Sequence, residues 1–166
     1  MLELCQRIKK WHREVGENLH IGVLALQGDY AEHINMLQSN NADVSEIRLP
    51  SQLDDVDGLI IPGGESTTIV QLIDIYDFRT KLVEMASEGF PIWGTCAGMI
   101  VMARELTDHR PAPLNLMNIK VSRNAFGRQI DSFEEDLTIK GIEGKFPAVF
   151  IRAPIVVEND SSVDIL

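Results

Sequence analysis

Cys96 lies between two glycines, in the stretch Pro91-Ile-Trp-Gly-Thr-Cys-Ala-Gly-Met99. An apolar strand-like run precedes it and a helix-like run follows. A nucleophile on a sharp strand-to-helix turn projects at the edge of a sheet in a strained backbone conformation, and small residues two positions either side keep that turn free of collisions. Gly94 and Gly98 stand at those positions. At the start of the following helix, the macrodipole favours thiolate over thiol. The backbone N–H of Ala97 would point at an oxyanion formed when sulfur attacks a carbonyl. The competing reading is a buried structural cysteine, but the Gly-x-Cys-x-Gly frame at a strand–helix junction favours the nucleophile.

A second loop, Ile60-Ile-Pro-Gly-Gly-Glu-Ser-Thr67, has the chemistry to complete such a site. Consecutive glycines after a strand let backbone groups approach a ligand closely. Gly64 could supply a second oxyanion donor, and Glu65 could hold a substrate ammonium group. The same loop also reads as a turn capping a helix, with Ser66 or Thr67 as N-cap, and the two roles are compatible. The G-x-x-x-x-G-K-[ST] signature of a P-loop is absent, and no G-x-G-x-x-G follows the first strand-like run. The histidines lack H-x-x-x-H spacing and no second cysteine lies near Cys96, so neither a metal nor another cofactor is expected.

These loops need strands behind them. Ile21–Gly28, Asp43–Leu49, Asp57–Gly64 and Pro91–Cys96 read as strands. Tyr30–Ser39, Thr67–Ile75, Phe78–Ser87 and Ala97–Leu106 read as helices between and after them. That alternation predicts an α/β fold: a mostly parallel open sheet flanked by helices. Ligands in such sheets sit beyond the carboxyl ends of the strands. Gln27-Gly28, Gly63–Ser66 and Gly94–Gly98 should therefore converge on one edge. Beyond Pro111 the runs Asn118–Asn124, Glu135–Ile139 and Ala148–Val157 are alternating or β-branched, so this half should be β-rich and partly antiparallel. Residues 1–19 form a separate segment, in which Leu4, Ile8, Trp11 and Val15 mark an amphipathic helix. Residues 20–166 make up the remaining domain.

Composition narrows the function. A formal charge of −10 argues against nucleic-acid binding, which needs clustered basic residues. The cluster Arg7, Lys9, Lys10 and Arg13 is interleaved with apolar residues and reads as the wet face of a helix. No window approaches the length of about eighteen apolar residues that a membrane span requires. The first twenty residues are too polar for a secretory signal. Two cysteines, Cys5 and Cys96, suggest no disulfide framework and fit a reducing, cytoplasmic setting.

The segments Ile21–Leu37, Leu59–Ile69, Pro91–Ile100, Arg123–Glu134 and Val149–Pro154 together resemble the glutaminase subunit of pyridoxal phosphate synthase, a class I triad glutamine amidotransferase with a flavodoxin-like fold. The resemblance covers the chain from about Ile21 onward, and the Pro-Gly-Gly-Glu-Ser-Thr and Arg-Asn-Ala-Phe-Gly-Arg-Gln stretches narrow it to this subunit. It implies that Cys96 attacks the side-chain amide of L-glutamine, releasing ammonia and leaving a glutamyl thioester that water cleaves. Ammonia would pass to a partner synthase subunit that builds the pyridoxal ring. Gly63, Gly64 and Glu65 match the family's glutamine-binding loop, with the N–H groups of Gly64 and Ala97 as the oxyanion hole. Arg123, Ile151 and Arg152 match further substrate contacts. An arginine suits a substrate carboxylate, which a guanidinium grips bidentately; read from the residues alone, Arg123 and Arg152 are more simply surface ion-pair partners in a chain rich in acids.

The family completes its triad with a histidine and a glutamate in an F-H-P-E-L-like motif, which these 166 residues do not contain. His109 should lie roughly 20 Å from Cys96 if a straight helix separates them. His20 should sit at the opposite sheet edge, and His12 belongs to the N-terminal segment. His33 is the histidine placed near the right edge, and as a member of a helix it reads more simply as a surface residue. Impaired glutaminase activity is therefore expected of this polypeptide, along with a strand edge or apolar face near Ala148–Val157 that the N-terminal helix would partly cover. A non-catalytic glutamine-binding subunit is the alternative within the same complex. A redox or chaperone protein of the DJ-1 type shares the elbow but gives the other two motifs no role.

Overall fold

The computed structural model describes residues 19–123, 133–150 and 154–166. Strands β1 (His20–Leu24), β2 (Asp43–Ile47), β3 (Gly58–Ile61) and β4 (Ile92–Gly94) form one sheet in the order β2-β1-β3-β4. Every pairing in it is parallel, with Ile21 opposite Gly58 and Leu59 opposite Ile92. β3 is buried along its whole length. A strand covered on both faces needs a continuous apolar run rather than an alternating one, and Gly-Leu-Ile-Ile meets that need.

Three long helices connect these strands: α1 (Tyr30–Ser39), α2 (Ser66–Ile75) and α3 (Phe78–Ser87). α2 buries Ile69, Val70 and Ile73, and α3 buries Phe78, Leu82 and Met85. Spacings of three and four residues put one stripe of each helix against the sheet. Their side chains join Leu24, Ile47, Leu59 and Ile61 in one core cluster. α1 differs, since none of its ten residues is fully buried.

The chain runs from β1 outward to β2, then crosses back to place β3 on the other side of β1. This reversal opens a crevice at the carboxyl ends of β1 and β3, the topological switch point where open α/β sheets bind ligands.

Beyond the sheet one expected element needs correcting. The helix expected over Ala97–Leu106 ends at Met102, and this short helix, α4 (Ala97–Met102), is followed directly by strand β5 (Ala103–Leu106). Arg104, Glu105 and Leu106 favour helices intrinsically, but pairing with β6 (Met117–Ser122) and burial of Ala103 and Leu106 override that preference. A six-residue 3-10 helix, Pro50–Asp55, links β2 to β3. Within the run Ala148–Val157, β8 (Phe146–Phe150) pairs antiparallel with β7 (Phe133–Leu137), and β9 (Ile155–Asn159) pairs antiparallel with β6.

β5, β6 and β9 form a second sheet over a small core of Ile100, Ala103, Leu106, Ile119 and Val121. The β-rich, partly antiparallel character expected of this half is present. Among the described residues, no helix is long and apolar enough to cross a membrane. Of the amphipathic segment 1–19, residues 1–18 lie outside the described residues.

Candidate active site

Cys96 occupies the corner between β4 and α4 with φ +51° and ψ −104°. Backbone conformations this sparsely populated cost a non-glycine residue about 1–3 kcal/mol and persist only where the surroundings impose them. Here the Thr95 N–H donates to the Ile61 carbonyl at 3.0 Å, the Gly98 N–H donates to the Thr95 carbonyl at 2.8 Å, and the Met99 N–H donates to the Cys96 carbonyl at 3.1 Å. The glycine bracket has a direct steric cause. A Cβ at Gly98 would lie 2.1 Å from the Ile61 oxygen, and one at Gly94 would lie 2.5 Å from the Gly98 carbonyl carbon. The thiol that emerges from this turn is free and exposed. α4, at six residues, is shorter than the helix expected behind it, so the dipole acting on the sulfur comes from less than two turns.

The loops after β1 and β3 come to the same edge. The Asp29 N–H donates to the Gly63 carbonyl at 3.0 Å, and the Glu65 N–H donates to the Gln27 side-chain oxygen at 2.9 Å. A methyl group on Gly63 would sit 3.6 Å from the Cys96 Cβ and 3.4 Å from an Asp29 carboxylate oxygen. Gly63 therefore borders the nucleophile directly, while Gly64, at φ +148°, is exposed beside it. Nothing in the sequence singles out Asp29; only the folding of β1 next to β3 brings its carboxylate here.

Glu65 takes the N-cap position of α2, which sequence preferences assign to Ser66 or Thr67. Its carboxylate accepts from the Thr67 N–H at 3.1 Å, the Thr68 N–H at 2.6 Å and the Thr68 hydroxyl at 2.8 Å. A longer side chain reaches both orphan N–H groups at once. Burial pushes its carboxyl up, but the N–H and hydroxyl donors of Thr68 and the Thr67 N–H outweigh this and hold it below the usual glutamate range.

Arg123 reaches the same helix end. Its Nη1 donates to the hydroxyls of Ser66 and Thr67, both at 3.2 Å, and its Nε donates to Asp108 at 3.0 Å. Asp108 is a partner that no sequence motif marks. Ile151, Arg152 and most of the Arg-Asn-Ala-Phe-Gly-Arg-Gln motif fall outside the described residues.

The histidines separate clearly. His20 opens β1 at the far edge, with its ring nitrogens on the Asp55 carbonyl and the Ser45 hydroxyl. His109 follows β5 rather than a helix, so the straight-helix distance expected for it does not apply; it lines a cavity of about 340 Å³ with Thr67, Gln71 and Asp74. His33 is not the plain surface histidine expected of its helix. Its Nε2 lies 2.9 Å from the Thr95 hydroxyl, and its ring meets Trp93 edge-on at 6.4 Å. Among the described residues, no cluster of three or more His, Cys, Asp or Glu side chains could hold a metal ion.

Comparison with known proteins places this geometry. The model of the SNO glutamine amidotransferase family matches residues 23–166. A protein of Thermosipho africanus named pyridoxal 5'-phosphate synthase subunit PdxT is 48% identical over 148 residues, covering 89% of this chain and 79% of the relative. One of the same name from Dehalococcoides mccartyi strain CBDB1 is 53% identical over 151 residues, covering 89% of this chain and 77% of the relative. A crystal structure described as a glutamine amidotransferase superposes with a TM-score of 0.83 at 42% identity, covering 88% of this chain and 78% of that one. With the family model spanning most of the chain and the elbow, the paired glycines and the parallel sheet all in place, this chain belongs to the SNO glutamine amidotransferase family.

Proposed function

We propose that this chain is the glutaminase subunit of a pyridoxal 5'-phosphate synthase, releasing ammonia from the side chain of L-glutamine for a partner synthase subunit. The observation that carries the reading is the strained, exposed Cys96 bordered by Gly63 at the sheet's switch point. The relatives that share about half of its residues are named as subunits of that synthase.

In this reading the Cys96 sulfur attacks the γ-carbonyl of glutamine and the C–N bond breaks, leaving a thioester and ammonia. Backbone N–H groups of Gly64 and Ala97 receive the negative charge that builds on the carbonyl oxygen, usually the largest single contribution to such catalysis. Gly63 keeps the floor of the pocket free of side chains. Glu65 takes the substrate's ammonium group: a carboxylate has about four acceptor sites, and its capping bonds use only part of them. Arg123 meets the substrate carboxylate, with its guanidinium aimed by Asp108. Ile151 and Arg152 are assigned to the same pocket from the family pattern. Thioester formation also needs a proton at the departing nitrogen. The imidazole tied to the elbow here, His33, engages Thr95 rather than Cys96, so slow turnover by these 166 residues is part of this reading. Residues 1–19 are an appended segment of a cytoplasmic protein, and the net charge of −10 leaves nucleic acid out of its partners.

The test is covalent capture with 6-diazo-5-oxo-L-norleucine, an electrophile shaped like glutamine, on the protein with and without its synthase partner. One adduct at Cys96, slowed by L-glutamine and absent from Cys96→Ala, is expected. Labelling that ignores glutamine, or that falls on other residues, would overturn the assignment. Glutamine binding without any adduct would leave a binding subunit instead.

A further inference from the structure

Thr95 is held at every polar group it has. Its N–H bonds Ile61 of β3, its carbonyl accepts from Gly98 of α4, and its hydroxyl meets His33 of α1. The first ties the turn to the neighbouring strand through the backbone, and the second belongs to the strand–turn–helix unit itself. The third comes from a different element, 62 residues away in sequence. We propose that His33 is a positioning residue of the elbow, holding Thr95 and through it the strained backbone of Cys96; this rests on Cys96 being the nucleophile proposed above.

Cys96 is the residue with φ +51° immediately after Thr95. A non-glycine residue relaxes from such a conformation unless its neighbours are fixed. The peptide between Thr95 and Cys96 carries the rotation that would release the strain, so fixing the Thr95 side chain opposes it. His33 is suited to that task. Its ring is set by the edge-on contact with Trp93, itself one residue short of the turn. Either tautomer can serve, since a hydroxyl both donates and accepts.

The bond also acts in the other direction. α1 has no fully buried side chain, so deep core packing does not fix its position. The His33–Thr95 bond, with the His33–Trp93 ring contact beside it, links this lightly held helix to the elbow. His33 does not reach the substrate in this assignment. It acts through Thr95.

The experiment uses the full chain with Cys5→Ser, so that one thiol reports. His33→Phe removes the hydrogen bond but keeps a ring beside Trp93, and Thr95→Val removes the hydroxyl at nearly constant shape. His33→Gln and Thr95→Ser keep a bonding group at each end. Inactivation by 6-diazo-5-oxo-L-norleucine is followed at saturating reagent. His33→Phe and Thr95→Val should each lower the limiting rate about five- to tenfold, the worth of one hydrogen bond, with the half-saturating concentration changed less than about twofold. The double variant should be no slower than either single one, because one interaction is lost only once. His33→Gln and Thr95→Ser should recover most of the rate. Multiplicative losses in the double variant, or a His33→Phe protein as fast as its parent, would overturn the proposal.

A second readout separates this idea from the glutaminase assignment. Amide hydrogen exchange at Thr95 and Gly98, followed by NMR, should accelerate at least threefold in His33→Phe and not in His33→Gln. If the parent protein ignores the glutamine analogue yet His33→Phe shows this acceleration, the clamp stands and the glutaminase reading falls. Unchanged exchange in His33→Phe removes the clamp whatever the analogue does.

Discussion

Gly28 and Gly63 approach so closely that a methyl group on the first would lie 1.8 Å from the carbonyl oxygen of the second. The same oxygen accepts the Asp29 N–H at 3.0 Å, so it cannot withdraw without breaking the bond that joins the two loops. Gly28 also has φ +99°, a region that disfavours any side chain. Gly28→Ala should therefore destabilise the fold by about 2–4 kcal/mol, combining an overpacking cost with a left-handed backbone cost. Urea unfolding should show a lower midpoint at an unchanged slope. A midpoint equal to that of the parent would mean that the β1 and β3 loops do not meet in solution.

Glu65 should be a pH-dependent cap. Its folded carboxyl is held below the ordinary value of 4.5, so its stabilisation is complete above that value and is lost as pH falls through the lower folded one. At pH 7, Glu65→Ala should cost about 1 kcal/mol, the usual worth of an N-cap. The gap in melting temperature between parent and variant should be constant from pH 7 to about pH 5 and close on further acidification. A gap that persists unchanged at pH 3 would show that the Thr67 and Thr68 N–H groups are not capped by an ionised carboxylate.

How much of the fold is legible in the sequence follows from how local each cause is. The continuous apolar run at β3 announces burial on both faces, and the glycines around Cys96 announce a tight turn, crowded at Gly94 by its chain neighbours Gly98 and Met102 but at Gly98 by the distant Ile61 of β3. The end of α4 is not legible, because Arg104-Glu105-Leu106 reads as helix until β6 supplies a pairing partner. The cap on α2 falls one or two residues before the expected position, because a serine and a threonine beside a glutamate look like the better caps until side-chain reach is measured. His33 escapes a sequence reading for a different reason. Its significance comes from Thr95, a distant residue brought to it by the parallel pairing of β1, β3 and β4.

Arg123 should matter more for substrate than for stability. Its Nε and Nη1 are committed to Asp108, Ser66 and Thr67, which fixes the plane of the guanidinium rather than burying it in a core. Arg123→Lys keeps the charge and loses the fork. The concentration of L-glutamine that half-protects Cys96 from alkylation should rise about tenfold or more, as expected when a charge-assisted hydrogen bond is lost. The unfolding free energy should change by less than about 1 kcal/mol, because lysine keeps the positive charge beside the exposed Asp108 carboxylate. Unaltered protection by glutamine would remove Arg123 from the binding pocket.

Cys96 itself should be destabilising. Its backbone, at φ +51° and ψ −104°, lies where glycine is at ease and other residues are strained, and its exposed side chain contributes little packing in return. Cys96→Gly relieves a strain of about 1–3 kcal/mol. It also adds about 0.5–1 kcal/mol of backbone entropy to the unfolded chain. Relief of strain outweighs that entropy, so the glycine variant should be more stable than the parent by about 1 kcal/mol while losing all reaction with the glutamine analogue. Cys96→Ala loses the reaction too but keeps a Cβ, and its stability should stay within about 0.5 kcal/mol of the parent. Comparing urea unfolding of the three proteins isolates the backbone strain, because both variants lack the sulfur and only one retains the Cβ. A glycine variant less stable than the alanine one would show that the turn at residue 96 is not strained, and that the sulfur reaches the sheet edge without a conformational cost.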